Sequence, residues 1–203
     1  MDYVTADLHF GHQGILGFER SQFKSIREHD EYIIRRLNEK LRPGDVLYVL
    51  GDVGFRGSKQ TLAELGRKLR RIECRKKILI FGNHDKFSKQ EALGLGFDEV
   101  HLGPIYYESS RVPGGIILSH QPVREALDNP YAINVHGHLH GGALDLPNYY
   151  NANIAQCGYQ PLPLNKFEEL AEKSLKGRKE RFGQEWYAEH EVKNPKPAGK
   201  EKE

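Results

Sequence analysis

The chain has 203 residues with 38% hydrophobic content, which suits one domain with a real hydrophobic core. Its 30 basic and 28 acidic residues leave a formal net charge of +2, so the overall charge gives no indication of a polyanionic partner. No apolar run approaches the ~20 residues that a membrane span needs, and the first residues lack the pattern of a secretion signal. Two cysteines are too few for a disulfide framework or a zinc finger. We therefore expect a cytoplasmic protein without a membrane partner.

The first part of the chain alternates predicted strands with predicted helices. Ser25 and Glu28 have the spacing of a capping box, and apolar residues then repeat at helical spacing until Pro43-Gly44 ends the helix. The run Val46–Leu50 is continuously apolar, which is typical of a strand covered on both faces. The other elements predicted here are strands at Tyr3–Thr5 and Lys77–Phe81 and helices at Leu62–Ile72 and Lys89–Leu95.

From Phe97 onward the pattern changes to short strands separated by turns, with a hairpin turn at Pro113-Gly114-Gly115. A helix is predicted at about Asn165–Phe182, and the polar residues 183–203 are predicted to form a solvated tail outside a domain of residues 1–182. This order of elements predicts an α/β sandwich with a mixed sheet. The strands predicted in this part are Phe97–Leu102, Ile105–Glu108, Gly115–Ser119, Ile133–His136 and Asn153–Gln156.

Most of the 10 histidines stand at the ends of apolar runs, beside Gly, Asp or Asn. In open α/β sheets, ligand sites form where loops follow the carboxyl ends of strands. Because alternate residues of an extended segment point to the same side, we expect Asp7 and His9 to converge, and likewise His138 and His140. The segments that carry this pattern are Asp7-Leu8-His9, Gly51-Asp52, Gly82-Asn83-His84-Asp85, Ser119-His120 and Gly137-His138-Leu139-His140.

These segments supply more metal ligands than one ion can use. Two metals bridged by a shared carboxylate would use all of them and leave positions for water and substrate. The number of ligands thus predicts two divalent metal ions. Because the ligand atoms are oxygen and nitrogen without a thiolate, Mn²⁺ is preferred, with Fe, Zn²⁺ or Ni²⁺ as alternatives. Two metals ~3.5–4 Å apart suit in-line displacement at phosphorus. The candidate ligands are Asp7, His9, Asp52, Asn83, His120, His138 and His140.

In order and approximate spacing, the five segments resemble the motifs of the calcineurin-like metallophosphoesterases. The resemblance covers about Tyr3 to Gln156, and the opening DLHFGH is similar to that of small bacterial and phage-type members. It implies a two-sheet sandwich flanked by helices, which agrees with the pattern of elements.

The resemblance also implies a role for each residue. Asp7, His9, Asp52 and His140 would bind one metal, and Asp52, Asn83, His120 and His138 would bind the other, so that Asp52 bridges. It further implies that His84 protonates the leaving oxygen or contacts the phosphate.

One segment departs from the family pattern. Many members have Gly-Asp-x-Val-Asp-Arg-Gly where this chain has Gly51-Asp52-Val53-Gly54-Phe55-Arg56-Gly57. Arg56 keeps the position of a phosphate-contacting arginine, whereas Phe55 replaces the aspartate that would orient His84. Asp85 is the remaining candidate for that orienting role.

Other polar residues have two interpretations or a structural one. His12 could contact substrate phosphate or stabilise its loop, and His136 is expected beside the metal ligands rather than among them. Arg20 is interpreted as a solvated surface residue, as is most of the basic cluster at Lys68–Lys77.

These observations predict a dinuclear metal-dependent phosphoesterase, acting on a small phosphorylated substrate by in-line attack of metal-bound hydroxide, as a phosphomonoesterase or a phosphodiesterase. One alternative is a nuclease acting on DNA or RNA, for which the near-neutral charge gives little support. The other is a metal-binding interaction scaffold without catalytic activity.

Overall fold

A computed structural model describes residues 1–54, 61–129 and 131–182. Its first sheet contains five strands in the order β4-β3-β2-β1-β9, all parallel except β9, which runs antiparallel to β1. These strands are β1 (Asp2–Thr5), β2 (Val46–Leu50), β3 (Lys76–Ile80), β4 (Glu99–His101) and β9 (Leu162–Pro163).

The second sheet contains four strands in the order β5-β6-β7-β8, in which β5 is antiparallel to β6 and the other neighbours are parallel. These strands are β5 (Ile105–Tyr107), β6 (Ile116–Leu118), β7 (Ile133–His136) and β8 (Tyr149–Asn151). Both sheets are mixed, so the predicted fold class, an α/β sandwich of two mixed sheets, is confirmed.

Helices cover the sheets, and three of them begin at side-chain caps. Ser25 Oγ accepts a hydrogen bond from the Glu28 backbone N–H, as the capping motif predicts, although the Glu28 carboxylate accepts from Lys24 N rather than from Ser25 N. Thr61 and Ser88 form complete capping boxes. The helices in the described residues are α1 (Ile15–Phe18), α2 (Ile26–Lys40), α3 (Leu62–Arg70), α4 (Lys89–Leu95), α5 (Glu125–Asp128) and α6 (Leu164–Phe182).

The core consists of two main apolar layers, one on each face of the first sheet. Leu47 and Val49 pack among residues of α2, α3 and α4, whereas Leu50 packs against Leu118 and Val135 of the second sheet. Strand β2 is therefore covered on both faces, which explains its continuous apolar run. None of the helices in the described ranges is both long and apolar enough to cross a membrane.

The predicted strand at Asn153–Gln156 is wrong. The last strand of the second sheet lies earlier, at Tyr149–Asn151, whereas Asn153 forms an isolated bridge with Ala6 and residues 154–156 form a turn. The reason is the Asn153 side chain, whose Oδ1 accepts from Ala155 N while its backbone C=O accepts from Gln156 N. Asparagine favours such turns because its side chain can replace a backbone acceptor.

Candidate metal centre

The candidate centre lies where strands of both sheets end. Loops follow β1, β2 and β3 of the first sheet and β6 and β7 of the second, and backbone hydrogen bonds join them. Asp7 N donates to Gly51 O at 3.1 Å and His9 N donates to Asp52 O at 2.9 Å. The two sheets are tied together by His120, whose Nδ1 lies 2.9 Å from Leu50 O. Every predicted ligand thus stands on a loop that begins at the end of a buried strand, as the sequence predicts.

The ligand-bearing backbone is strained. Asp7, His9, Asp52, His138 and His140 have φ between 50° and 67°, and Tyr159 is the other described non-glycine residue with positive φ. Such conformations cost energy for residues with a Cβ and concentrate at functional sites. The segments are consequently not extended, so the alternation expected for Asp7 and His9, and for His138 and His140, is not the reason their side chains reach the centre.

Two glycines permit the loops to approach closely. A Cβ at Gly82 would lie 2.2 Å from Asp52 Oδ1, and one at Gly137 would lie 2.6 Å from Asp7 Oδ2. Neither site has room for a side chain, because any Cβ there would collide with atoms of a candidate ligand.

The first group of side chains, the deep half, comprises Asp7, His9 and His140, whose ligand atoms lie within 4.8 Å of one another. Asp7 and His9 are fully buried. Burial, and secondarily the nearby Asp52 carboxylate, raise the pKa of Asp7 to about 7. Burial lowers the pKa of His9, which favours the neutral imidazole that a metal requires.

Asp52 stands between the deep half and a second group. Its Oδ2 lies 3.8 Å from His9 Nε2, and its Oδ1 lies 3.5 Å from His120 Nε2. Asp7, Asp52 and His120 also have ligand atoms within 4.8 Å of one another. The backbone N–H of His84 donates to Asp52 Oδ1 at 2.9 Å, which holds the carboxylate in place.

The second group, the outer half, comprises Asn83, His120 and His138. Asn83 Oδ1 lies 2.8 Å from His120 Nε2 and 2.9 Å from His138 Nδ1. Because Leu50 O can only accept, His120 Nδ1 carries the proton, and in the neutral ring Nε2 is itself an acceptor. Burial lowers the pKa of His120 and so favours this neutral form. Two acceptors facing each other at this distance suit a cation between them.

The other predicted residues have separate places. Rings of His12 and His84 lie 5.2 and 5.7 Å from that of His9, at the half-buried edge of the centre. His136 is buried with Nδ1 at 2.8 Å from Gly137 O, so it contacts the backbone of the loop that carries His138 and His140. Arg56 and Phe55 lie outside the described residues.

Asp85 has a structural task rather than the orienting role considered for it. Its Oδ2 accepts from the backbone N–H groups of Asp52 and Gly82, and its Oδ1 accepts from Val53 N. These three bonds fix the Asp52 turn against the Asn83 turn. Burial raises the pKa of Asp85 to about 7.

Arg20 corrects the sequence-based interpretation. It is fully buried rather than solvated, and its guanidinium donates to Asp7 O at 2.6 Å and to Leu8 O at 3.1 Å. Its Nη1 also lies 2.8 Å from His29 Nε2. Arginine carries no local signal for burial, so the pattern around residue 20 could not have revealed this contact.

Two further residues near the ligands were missed. Asn153 Nδ2 donates to Asp7 Oδ2 at 3.1 Å, and Glu19 Oε2 lies 2.7 Å from His140 Nδ1. The hydrogen bond to Glu19 raises the pKa of His140. Both partners are more than a hundred positions away in sequence, at separations of 146 and 121.

The residues present fit a metal. His9 Nε2 and Asp52 Oδ2 are buried, and neither has a hydrogen-bond partner among the described residues. Leaving such atoms unpaired is costly unless something else binds them. The ligands offer carboxylate, amide and imidazole atoms and no thiolate, which suits borderline divalent ions.

Comparison with known proteins shows the family. The family model for calcineurin-like phosphoesterase matches residues 3–200, so the chain belongs to this family. The resemblance seen in the motifs is thereby confirmed. The family consists generally of metal-dependent phosphoesterases, and the Asp and His clusters of this chain could hold metal.

Three of the similar proteins have descriptions that name no activity. The chain is 26% identical over 183 residues to an uncharacterized protein of Methanocaldococcus jannaschii, covering 84% of this chain and 91% of that protein. It is 28% identical to the gene 66 protein of Mycobacterium phage D29, covering 68% of this chain and 77% of that protein. A solved structure of a protein of unknown function from Aquifex aeolicus aligns with a TM-score of 0.68 at 27% identity, covering 84% and 98%.

Proposed function

We propose that the protein hydrolyses a small phosphate ester with two divalent metal ions held in the deep and outer halves. The observation that supports this most directly is the pair of buried, unpartnered ligand atoms, His9 Nε2 and Asp52 Oδ2, in the middle of the centre. A protein that bound no metal would keep this cost, and the strained backbone at five ligands, for no benefit.

In this proposal Asp7, His9 and His140 would hold one metal, Asn83, His120 and His138 would hold the other, and Asp52 would be available to both. When bound, such a metal pair lowers the pKa of a water molecule that can act as nucleophile, and it supplies positive charge opposite the phosphate oxygens. Mn²⁺ is the first metal to test, followed by Fe, Zn²⁺ and Ni²⁺.

The chain's own groups orient the substrate and move one proton. His84 is held by its backbone N–H at Asp52 while its ring lies at the half-buried edge, where it can give a proton to the leaving oxygen. By its position in the motif, Arg56 would bind the phosphate oxygens.

The test begins with metal-free protein reloaded with Mn²⁺. Bound metal is counted by elemental analysis, and hydrolysis is measured on p-nitrophenyl phosphate, bis-p-nitrophenyl phosphate, cyclic nucleotides and a single-stranded DNA oligonucleotide. We expect two metals per chain and metal-dependent turnover of at least one small ester. Preference for the monoester or the diester then distinguishes phosphomonoesterase from phosphodiesterase.

Two results would contradict the proposal. Two bound metals without turnover of any of these esters would favour the scaffold. Turnover confined to the oligonucleotide would favour the nuclease.

A further inference from the structure

The inference concerns Glu19 and rests on the proposed metal-dependent function. Glu19 immediately follows α1, and its backbone N–H donates to Ile15 O at 3.2 Å. Its side chain is only 11% exposed. A carboxylate buried to this degree needs compensation by positive charge or by hydrogen bonds.

Part of this compensation comes from His140. Glu19 Oε2 lies 2.7 Å from His140 Nδ1, and the carboxylate accepts a hydrogen bond from the N–H of this nitrogen. The proton is then fixed on Nδ1, and the lone pair of the neutral ring is on Nε2. The His140 ring stacks on that of His9 with centroids 5.1 Å apart, which places this ring beside the other ligands of the deep half.

The other part comes from Arg20, whose Nε lies 3.6 Å from Glu19 Oε2. Arg20 in turn donates to the carbonyl groups of Asp7 and Leu8. Two consecutive residues therefore hold two loops of the deep half, since Glu19 holds the His140 loop and Arg20 holds the Asp7 loop. The remaining oxygen, Glu19 Oε1, is buried without a hydrogen-bond partner in the described parts of the chain.

We propose that Glu19 is a positioning residue for His140 and sets the metal affinity of the deep half specifically. A carboxylate that accepts from a ligating histidine fixes its tautomer and ring orientation and makes it a better donor to the metal. In the outer half, His120 Nδ1 donates instead to the neutral carbonyl of Leu50. The two halves thus differ in the charge behind their histidines.

The chain contains a matched control. Glu99 and His101 form a pair with a similar separation, 2.6 Å between Glu99 Oε1 and His101 Nε2, on strand β4 at the edge of the first sheet. Their side chains are 42% and 34% exposed. Substituting Glu99 removes a Glu–His pair that has no connection to the candidate ligands.

The experiment measures metal binding by the full chain, stripped of metal, with Mn²⁺ titrated against a chelator and with Co²⁺ followed by its visible absorption. The variants are Glu19→Ala, Glu19→Gln and Glu99→Gln, and each metal-free protein is checked by its melting temperature. We expect Glu19→Ala to weaken one of two binding steps by ~10–100-fold and to leave the other within ~2-fold. The Co²⁺ spectrum of that same step should change.

Glu19→Gln should have an intermediate effect, because its amide oxygen still accepts from His140 while the negative charge is lost. Glu99→Gln should bind both metals as the wild type does. Unchanged affinities in folded Glu19→Gln and Glu19→Ala would overturn the inference and leave the proposed function standing. Equal weakening of both steps would reduce Glu19 to a general structural role. A wild-type chain that binds no metal would instead refute the proposed function itself.

Discussion

Asp7 and His9 in the deep half are fully buried, whereas Asn83 in the outer half is exposed and His138 is partly so. The deep half is held by side chains from elsewhere in the fold, namely Glu19, Arg20 and Asn153. In the outer half the ligand side chains contact one another, and His120 is also bonded to Leu50 O at the end of β2.

This difference has consequences for both stability and binding. Groups behind the deep half are buried and polar, so removing one leaves its partners unsatisfied and should destabilise the fold. Asn83 and His138 of the outer half are close to solvent, so they can be removed with little cost to folding, whereas His120 is buried and ties the two sheets together. The deep half should therefore couple metal binding to stability, while Asn83 and His138 should affect metal binding and catalysis alone.

The largest effect is expected for Asp52→Asn, since this residue faces both halves. Loss of both metals would remove several kcal/mol of transition-state stabilisation, or at least ~10⁴-fold in turnover. Elemental analysis and p-nitrophenyl ester assays measure the two losses. The control is Asp98→Asn, where the new side chain can still accept from Lys77 N near the start of β3, at the opposite end of the strand from the centre. Near-normal turnover by Asp52→Asn would show that no bridging carboxylate is needed.

His84→Ala should slow hydrolysis by ~10²–10⁴-fold while both metals stay bound. The reason is that His84 is proposed to act on the substrate and belongs to the ligand set of neither half. The loss should be smallest for esters with good leaving groups, which need no proton. Rates are compared across phenyl phosphates of increasing leaving-group pKa, with His101→Ala as the control. A variant with less bound metal than the wild type would make His84 a ligand.

Arg20→Met should lower the free energy of unfolding of the metal-free protein by about 3 kcal/mol, because the carbonyl groups of Asp7 and Leu8 lose their donor. Urea denaturation measures this change. Arg67→Met is the matched control, since the Arg67 side chain is 65% exposed and its pairing with Glu64 is at 3.9 Å. We expect that control to stay within about 0.5 kcal/mol of wild type. Equal stability of the two variants would remove the distinction between the halves.

The smallest effect on folding is expected in a comparison of two asparagines. Asn153→Ala removes a buried donor to Asp7 and should cost about 2 kcal/mol. Asn83→Ala should stay within about 0.5 kcal/mol of the metal-free wild type, because Asn83 is exposed, yet lose one metal. Thermal melting with and without Mn²⁺ measures both variants. If Asn83→Ala proved the less stable variant, the outer half would be the structural one.

The sequence by itself determined the parts of this protein that depend on local pattern. A continuous apolar run predicted β2 with its observed bounds, and strand β7 and the helix at Lys89–Leu95 were also predicted as observed. Gly, Asp, Asn and His residues at the ends of predicted strands predicted the loops that form the candidate centre. This was possible because a strand and the polar residues that follow it are adjacent in the sequence. The order of these segments also indicated the family that the comparison confirms.

Only the tertiary structure decided what supports the ligands. Arg20 is buried because the loop after β1 folds over it, and Glu19 meets His140 because the two sheets bring positions 121 residues apart together. Asp and His adopt positive φ more readily than most residues with a side chain, but residue type alone does not assign it to Asp7, His9 and Asp52, where backbone hydrogen bonds join the loops. Asn153 likewise leaves the expected strand because its side chain satisfies a turn and donates to Asp7. Such contacts depend on packing between distant elements, and periodicity along the chain carries no information about them.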